Sequence, residues 1–263
     1  MKFSLRVNHK KLNTGPKNDR AIRDRQFGVI REIRSTFEKK GFPIASVDTK
    51  KKEMIGQFKN AGTTWRTEAM AVNDHDFRKD SKGMAVPYGV YETTTNKGCI
   101  LLGKSSDTPE FAVDCLAKWW VLEGRKRYPG RKKLFLLADA GGSNGYRSRL
   151  WKYGIQQKLC DRYGLCVSVS HYPPGASKWN PIEHKLFSHI THNWQGRPLD
   201  NYETALKYIR TTKTKMGLKM SGHFIRANYK KGIKTTDAQM EEINITRHSV
   251  LPQWNYTIRP TKM

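Results

Sequence analysis

Apolar residues recur along this chain at two spacings, and the spacing changes from helical to strand-like shortly after residue 40. From about Asp19 to Lys40 they recur at helical spacing among many Arg and Lys residues, which predicts a helix. Gly41 and Pro43 end that helix. Its basic face has two open interpretations, a solvated face of a helix that lies on the core or a contact with nucleic acid.

Short apolar runs bounded by turn residues predict the strands of a sheet. These runs cover residues 44–47, 85–92, 99–104, 134–138 and 166–170. Asn96-Lys-Gly98 forms the turn of a hairpin between the second and third strands. Residues 54–84 are polar and irregular, so we interpret them as an insertion.

Helical spacing returns between the later strands. It predicts helices from Thr108 to just before Tyr128, from Tyr146 to Tyr163 and from Pro181 to Trp194. The large aromatic residues of these helices (Trp119, Trp120 and Trp151) are expected in the core. The order of strands and helices favours an α/β fold, a mixed sheet flanked by helices that matches the ribonuclease H-like arrangement.

We expect three regions along the chain. Residues 1–43 form a basic N-terminal segment with one helix, 44–196 a ribonuclease H-like domain with its insertion at about 54–84, and 197–263 a small α+β extension. Two capping-box patterns, Asp200-x-x-Glu203 and Thr236-x-x-Gln239, predict short helices in the extension.

The charge balance indicates the partner. Among 263 residues, 49 Lys and Arg face 23 Asp and Glu, a formal net charge of +26 that attracts polyanions, nucleic acid above all. The four cysteines form no CxxC pair, which favours buried reduced thiols over a zinc centre. No signal peptide and no stretch of membrane-spanning length is evident, so we expect a soluble intracellular protein without a membrane partner.

Three carboxylates are candidates for the chemistry. Asp48 and Asp139 each follow a predicted strand, and these two strands are neighbours in a ribonuclease H-like sheet. Glu183 lies in the first turn of a predicted helix that could face the same edge. Structural alternatives stay open: the two aspartates could cap loops, and Asn180-Pro-Ile-Glu183 has the form of a capping box. Asp74, Asp76 and Asp107 are weaker acidic candidates.

Three converging carboxylates repel one another, and two Mg²⁺ ions about 4 Å apart would remove that cost. The glycines of Gly141-Gly-Ser-Asn-Gly145 would let the backbone approach a phosphate or the metal ions; neither GxGxxG nor GxxxxGK[ST] is present. His171 and His184 are possible accessory residues near the carboxylates. Zinc binding by His189 and His192 is disfavoured, because HExxH is absent and no cysteine is nearby.

Several motifs carry a family resemblance. "SVDTKKKEMIGQFKNAG", "VPYGVYETTTNKG", "LADAGGSNGYRSRLWK", "HYPPGASKWNPIEHKLFSHITHNWQGRPL" and "TKTKMGLK" closely resemble the Rhodopirellula-type transposases of bacterial insertion sequences (ISAzo group), within the DDE superfamily. The resemblance implies a ribonuclease H-like fold and a catalytic triad of Asp48, Asp139 and Glu183. Members of this family carry a helix-turn-helix region ahead of the SLRVN-like segment, so we expect this chain to be the carboxy-terminal part of a transposase.

The expected activity is Mg²⁺-dependent cleavage at transposon ends followed by strand transfer through transesterification, with Mn²⁺ able to replace Mg²⁺. Asp48 would bridge two ions, while Asp139 and Glu183 would each hold one. The partners would be transposon-end and target DNA in the bacterial nucleoid. The resemblance also implies a homo-oligomer on paired ends.

Residues near the triad in sequence are expected to contact DNA, mainly through phosphates. They are Lys50, Lys51, Lys52, Arg147, Arg149, Lys152, Lys178, Trp179 and Lys185. Trp179 could stack on an unpaired base or anchor the entry of its helix in the core. Two other functions stay open: a truncated transposase that binds DNA without cutting it, and a structural RNA-binding protein.

Overall fold

The computed structural model describes residues 18–261, and a nine-stranded mixed sheet forms the centre of this part of the chain. The strands are β1 (Ile44–Thr49), β2 (Glu53–Ile55), β3 (Gly83–Glu92), β4 (Lys97–Gly103), β5 (Lys133–Ala138), β6 (Cys166–His171), β7 (Lys219–Phe224), β8 (Ile245–Arg247) and β9 (Asn255–Ile258). Their order is β7-β4-β3-β1-β5-β6-β9-β8, with β2 paired to β3. Strands β1, β5 and β6 are parallel, and β3 is antiparallel to both β1 and β4.

Helices cover both faces of this sheet. They are α1 (Asn18–Lys39), α2 (Pro109–Trp119), α3 (Arg125–Arg127), α4 (Arg149–Ile155), α5 (Ser188–Trp194), α6 (Tyr202–Thr211) and α7 (Asp237–Glu241). Three π-helical segments extend them: Trp120–Gly124 joins α2 to α3, Gln156–Asp161 continues α4, and Glu183–Phe187 leads into α5. Within residues 18–261, no helix combines the length and apolar character that crossing a bilayer requires.

The side chains of each central strand alternate between two apolar layers. Val47 and Val90 pack into the layer beneath α2 and α4, where Trp119, Trp120 and Trp151 are buried as predicted. Strand residues that point the other way pack against α1, α5 and α6. Asp48 therefore belongs to the face that α1, α5 and α6 cover, because it directly follows Val47.

The predicted strands and helices up to residue 196 are observed, with boundary shifts of a few residues. The proposed insertion is largely irregular, apart from β2 and a short 3₁₀ turn, Arg78–Asp80. Residues 1–17 of the predicted N-terminal segment lie outside the described part of the chain.

The last third of the chain completes both sides of the sheet. Strand β7 pairs with β4 at one side, whereas β9 pairs with β6 and carries β8 at the other. The capping box predicted at Thr236 and Gln239 is present at the start of α7. The one predicted at Asp200 is wrong by one residue, because the side chain of Asn201 accepts the bond from the Thr204 amide and caps α6.

An amide pair joins the first helix to the last strand. The Gln26 amide nitrogen donates to Asn255 Oδ1 at 2.9 Å, and the Asn255 amide nitrogen donates back to Gln26 Oε1 at 2.6 Å. Gln26 also donates to the carbonyl of His171, at the end of β6. Both amide side chains are fully buried, so this network holds α1 against the strands beside the candidate site.

Candidate metal and DNA site

Asp48 and Asp139 lie side by side at the carboxyl edge of the parallel strands. Val47 of β1 pairs with Ala138 of β5 in a parallel register, so the two aspartates follow paired positions. The main chain stabilises Asp48 locally, because the Thr49 amide donates to its Oδ1 at 2.7 Å. Carboxyl ends of parallel strands are where open α/β sheets bind ligands.

Glu183 reaches this edge because its helix packs directly on the sheet. Gly89 of β3 pairs with Asp48, and a Cβ at Gly89 would lie 2.6 Å from Phe187 Cε1 and 2.8 Å from Ile182 Cδ1. Glycine at this position therefore permits the close approach of the segment that carries Glu183. The start of this segment is also attached to β1, since the Ile182 amide donates to Ser46 Oγ at 3.2 Å.

Asn180 connects this helix start to both strands, a role that sequence reasoning missed. Its amide nitrogen donates to Asp139 Oδ1 at 2.9 Å, and its amide oxygen accepts a short hydrogen bond from Ser46 Oγ. The capping-box interpretation of Asn180 and Glu183 is therefore wrong: the Glu183 amide bonds to the main-chain oxygen of Asn180, whose side chain is engaged with the strands.

Burial raises the pKa of all three carboxylates, and repulsion from neighbouring carboxylates adds to this effect at Asp48 and Glu183. Burial is the main cause that raises the pKa of Asp48 to about 8, and the charges of Asp139, Glu183 and Asp107 add to it. Burial also raises the pKa of Asp139, against the bond from Asn180. The pKa of Glu183 is raised by burial and by Asp139. The three groups share one electrostatic environment that disfavours three negative charges.

The donor set fits divalent magnesium or manganese. Within residues 18–261, no Lys, Arg or His side chain forms a direct ion pair with Asp48, Asp139 or Glu183, although the charges of His184 and Lys50 lower the pKa of Glu183. Hard carboxylate oxygens are the preferred ligands of such cations. The carboxylate oxygens of these three residues do not all lie within 4.8 Å of one another. The site is therefore wider than a compact site in which three ligands hold a single ion.

The glycine-rich loop after Asp139 folds back onto β1. Gly142 has a positive φ of 70°, and Ser143 and Asn144 behind it are buried. Tyr88 donates to Asn144 Oδ1 at 2.9 Å. A Cβ at Gly142 would meet no atom within 4 Å, so the outer side of this loop is open and a phosphate could approach it.

Asp107 was predicted only as a weak acidic candidate, and it lies near the site. Thr49 Oγ1 donates to Asp107 Oδ1 at 3.1 Å. Asp107 is thereby held near Asp48, and its negative charge is one of the causes that raise the pKa of Asp48. The helix expected to start here begins with Thr108 as its cap, which frees the Asp107 carboxylate for that bond.

The predicted DNA-contacting cations divide into exposed and buried groups. The exposed group, which fits phosphate contact, consists of Lys51, Lys52, Arg147, Lys178 and Lys185. Arg149 is exposed but engaged with Asp237 and with the carbonyl of Thr236.

A phosphate-contacting role does not fit Lys50 or Lys152, whose side chains are buried. Lys50 forms an ion pair with Glu53 at 2.8 Å, and its Nζ lies 4.6 Å from the ring centroid of Trp194. Lys152 donates to the carbonyl of Tyr146. Burial, together with the charge of Arg247, lowers the pKa of Lys152 to about 8.

The accessory histidines differ in their placement. His171 lies beside Asp139, with its Nδ1 3.0 Å from the Asp139 carbonyl and its Nε2 3.1 Å from Tyr256 Oη, but it is fully buried and therefore not open to a phosphate. His184 is exposed beside Glu183, with its Nε2 2.5 Å from the carbonyl of Lys178.

Trp179 is 57% exposed and contacts Phe27 of α1 edge-on, which excludes the core position considered for it. This ring lies four residues before Glu183 in the sequence, and its exposed surface is available for stacking.

A basic groove has a volume of about 460 Å³. The first of its lining residues along the chain is Lys51, three positions after Asp48. It is rich in cationic side chains and also includes Ser105 and Ser106, which precede Asp107. Its five basic residues are Lys51, Lys52, Lys59, Arg78 and Lys231. Three of them, Lys59, Arg78 and Lys231, were not among the predicted DNA-contacting residues.

The fold and the carboxylate edge together define an α/β protein of the ribonuclease H-like class. Residues 1–260 match the family described as "Rhodopirellula transposase DDE domain", and the chain belongs to this family. No curated protein sequence matches the chain.

Solved structures of transposase complexes have a similar fold. The Mos1 mariner paired end complex with Mn matches with a TM-score of 0.51 and 14% identity, over 79% of this chain and 58% of that chain. The Mos1 transposase paired-end complex with left transposon end gives 0.49 and 15%, over the same shares. This chain thus spans 58% of the length of these structures, and at such identity the likeness concerns the fold.

Proposed function

We propose that this chain is the catalytic region of a transposase that cleaves DNA at transposon ends and joins the freed 3′ ends to target DNA. The observation that carries the proposal is the arrangement of Asp48, Asp139 and Glu183. These three carboxylates come from distant parts of the chain to one edge of a ribonuclease H-like sheet, without a direct ion pair to a Lys, Arg or His among the described residues.

Asp48, Asp139 and Glu183 would hold two Mg²⁺ ions, or Mn²⁺ in their place. When bound, such ions would lower the pKa of an attacking water and stabilise the departing 3′ oxygen. Asn180 orients Asp139, and the Thr49 amide orients Asp48. The reaction needs no covalent intermediate with the protein, because water and then the freed 3′ hydroxyl serve as nucleophiles at the same site.

DNA would lie along the basic surface around this edge. The exposed residues Lys51, Lys52, Arg147, Lys178 and Lys185 would contact backbone phosphates, which supplies affinity that depends on salt but not on sequence. Trp179 would stack on an unpaired base at the cut end. We also propose that the protein acts as a homo-oligomer on paired ends; light scattering with and without end DNA tests this.

The experiment is a nicking assay on supercoiled plasmid with Mg²⁺ or Mn²⁺. We expect nicking that requires the metal and is lost in Asp48→Asn, Asp139→Asn and Glu183→Gln. Glu241→Gln is the matched control, since this glutamate is exposed at the end of α7, and it should nick at the wild-type rate.

Two outcomes would contradict the proposal. DNA binding without nicking, in the wild type and with either ion, would instead favour a DNA-binding protein that has no catalytic activity. Nicking that persists in all three carboxylate variants would mean that the chemistry lies elsewhere or comes from a contaminating nuclease. Calorimetric titration with Mn²⁺ distinguishes a transposase, active or inactive, from a structural RNA-binding protein. The RNA-binding protein would show no metal binding that depends on the carboxylates.

A further inference from the structure

We propose that Cys99, Glu123 and His223 form a second metal site, which takes Zn²⁺ and attaches strand β7 to the rest of the sheet. Each residue offers one ligand atom, and the three atoms all lie within 4.8 Å of one another. Among residues 18–261, this is the one group of His, Cys, Asp and Glu side chains that meets this condition.

The sheet register brings these residues together. Cys99 of β4 pairs with Ser221 of β7, and His223 lies two residues further along β7, on the same face as Ser221. Glu123 comes from the π-helical segment after α2, above that face. Its Oε1 lies 3.3 Å from His223 Nε2 and also accepts a bond from the Ser221 hydroxyl.

The chemistry of the ligands selects the ion. A thiolate, an imidazole and a carboxylate are all ligands that Zn²⁺ accepts, and three protein ligands plus a water complete its preferred tetrahedron. The thiolate and the carboxylate balance the two positive charges, and the thiol proton leaves to solvent on binding. By contrast, the oxygen-only set of Asp48, Asp139 and Glu183 suits Mg²⁺ and Mn²⁺.

A charged neighbour fixes the orientation of the carboxylate. Arg127 donates to Glu123 Oε2 at 2.9 Å, which leaves Oε1 directed at the other two ligands. In known metal sites, residues that form a hydrogen bond to a metal ligand in this way orient the ligand and affect the metal affinity. His223 and Glu123 keep 31% and 14% of their side-chain surface exposed, so solvent and an ion can reach the cluster, while Cys99 is buried.

This site is separate from the carboxylate edge. Cys99 belongs to the apolar layer beneath α2, together with Val47 and Val90. The segment that carries Glu183 packs in the layer on the opposite face of the sheet. The two sites therefore have the sheet between them, and the zinc proposal does not depend on the proposed DNA chemistry.

The bound Zn²⁺ ion would have a structural role. Strand β7 pairs only with β4 among the described strands, and residues 99, 123 and 223 belong to three elements far apart in sequence. An ion that binds only the folded state stabilises it by mass action. With free Zn²⁺ at a hundred times its dissociation constant, we expect the unfolding temperature to rise by about 5–10 °C.

The test uses the full chain after treatment with a chelator. Titration with Co²⁺ should produce the near-ultraviolet absorption of a thiolate–cobalt bond at one equivalent, and Zn²⁺ should displace it while excess Mg²⁺ does not. Cys99→Ser and His223→Gln should abolish the band and the thermal shift. Cys166→Ser, which changes a half-buried cysteine elsewhere in the sheet, should retain both.

The possible outcomes are decisive in either direction. His223 is partly exposed, so His223→Gln keeps the fold testable by circular dichroism even where Cys99→Ser does not. A missing charge-transfer band in the wild type would overturn the proposal and leave the cluster as a hydrogen-bond network. A charge-transfer band that persists in both Cys99→Ser and His223→Gln would also overturn the proposal. Asp139→Asn should lose nicking but keep the band, which separates failure here from failure of the proposed activity.

Discussion

The side-chain amide of Asn180 donates to Oδ1 of Asp139 at 2.9 Å while its oxygen accepts from Ser46, so one side chain links β1 and the end of β5 to the start of the Glu183 segment. Asn180 is completely buried. The relative positions of the three carboxylates therefore depend on a residue that carries no charge itself.

Replacement of Asn180 by alanine should slow metal-dependent nicking by about 10–100-fold, the usual effect of removing a group that orients a metal ligand. Mn²⁺ affinity measured by calorimetry should fall as well, because Asp139 loses the bond that fixes its carboxylate. Asn193→Ala is the control: its amide bonds to the Tyr208 carbonyl within the α5–α6 contact, away from the carboxylates. Equal losses in both variants would argue against a positioning role for Asn180.

Gly89→Val should separate the Glu183 segment from the sheet. The added side chain would collide with Phe187 and Ile182, and overpacking of this kind costs about 1–3 kcal/mol of unfolding free energy. Denaturant unfolding gives the stability, and the plasmid assay should show a parallel loss of nicking. Gly28→Ala in α1 adds a Cβ where no atom lies within 4 Å, and it should leave both measurements at or above the wild-type values. Unchanged nicking in Gly89→Val would contradict the close approach.

Neighbouring lysines should respond differently to substitution. Lys51→Ala combined with Lys52→Ala should reduce the slope of DNA affinity against salt concentration by about 1–2, because each lost phosphate contact contributes about 0.9. Lys50→Met should leave that slope unchanged but cost about 1–3 kcal/mol of stability, since Glu53 loses the cation that pairs with it in a largely buried position. Fluorescence anisotropy over a salt series distinguishes the two, and a reduced slope in Lys50→Met would show that our assignment of Lys50 is mistaken.

His171 should make the stability of the metal-free protein depend on mildly acidic pH. Burial lowers its pKa from 6.5 to about 4, so between these values the unfolded chain takes up a proton that the folded protein does not. Stability should therefore fall as the pH drops from 6.5 towards 4, with a total loss of about 3 kcal/mol from this residue. His171→Gln should remove this part of the pH dependence, as measured by urea unfolding across the range.

The control for this pH series is His192→Gln, which changes an exposed histidine of α5 and should preserve the wild-type pH dependence. A wild-type slope in His171→Gln would show that the proton uptake belongs to another group.

Much of the fold could be predicted from local patterns. The apolar runs of β1, β5 and β6 and the helical spacing around Trp119 and Trp151 are strong because these elements are buried. Strand β7 is harder to recognise: Lys219–Phe224 is short, mixed in polarity and interrupted by Gly222, because it lies at the side of the sheet and has few buried positions.

The site could be predicted less completely, because its support depends on contacts between distant residues. A carboxylate at a strand end is visible in the sequence, whereas the partner of Asn180 depends on how the Glu183 segment meets β1 and β5. Lys50 and Lys51 are equivalent in a run of three lysines, and only the direction of each side chain separates a buried ion pair from an exposed cation.

The position of β7 and β9 in the chain has a consequence for biosynthesis. Residues 48, 139 and 183 leave the ribosome before the strands that pair with the outer sides of β4 and β6 have been made. A nascent chain of this protein therefore carries two unpaired strand edges, which are templates for aggregation until residues 219–258 emerge. The amide pair of Gln26 and Asn255 joins residues 229 positions apart, so the buried amide of α1 lacks this partner until β9 has been synthesised.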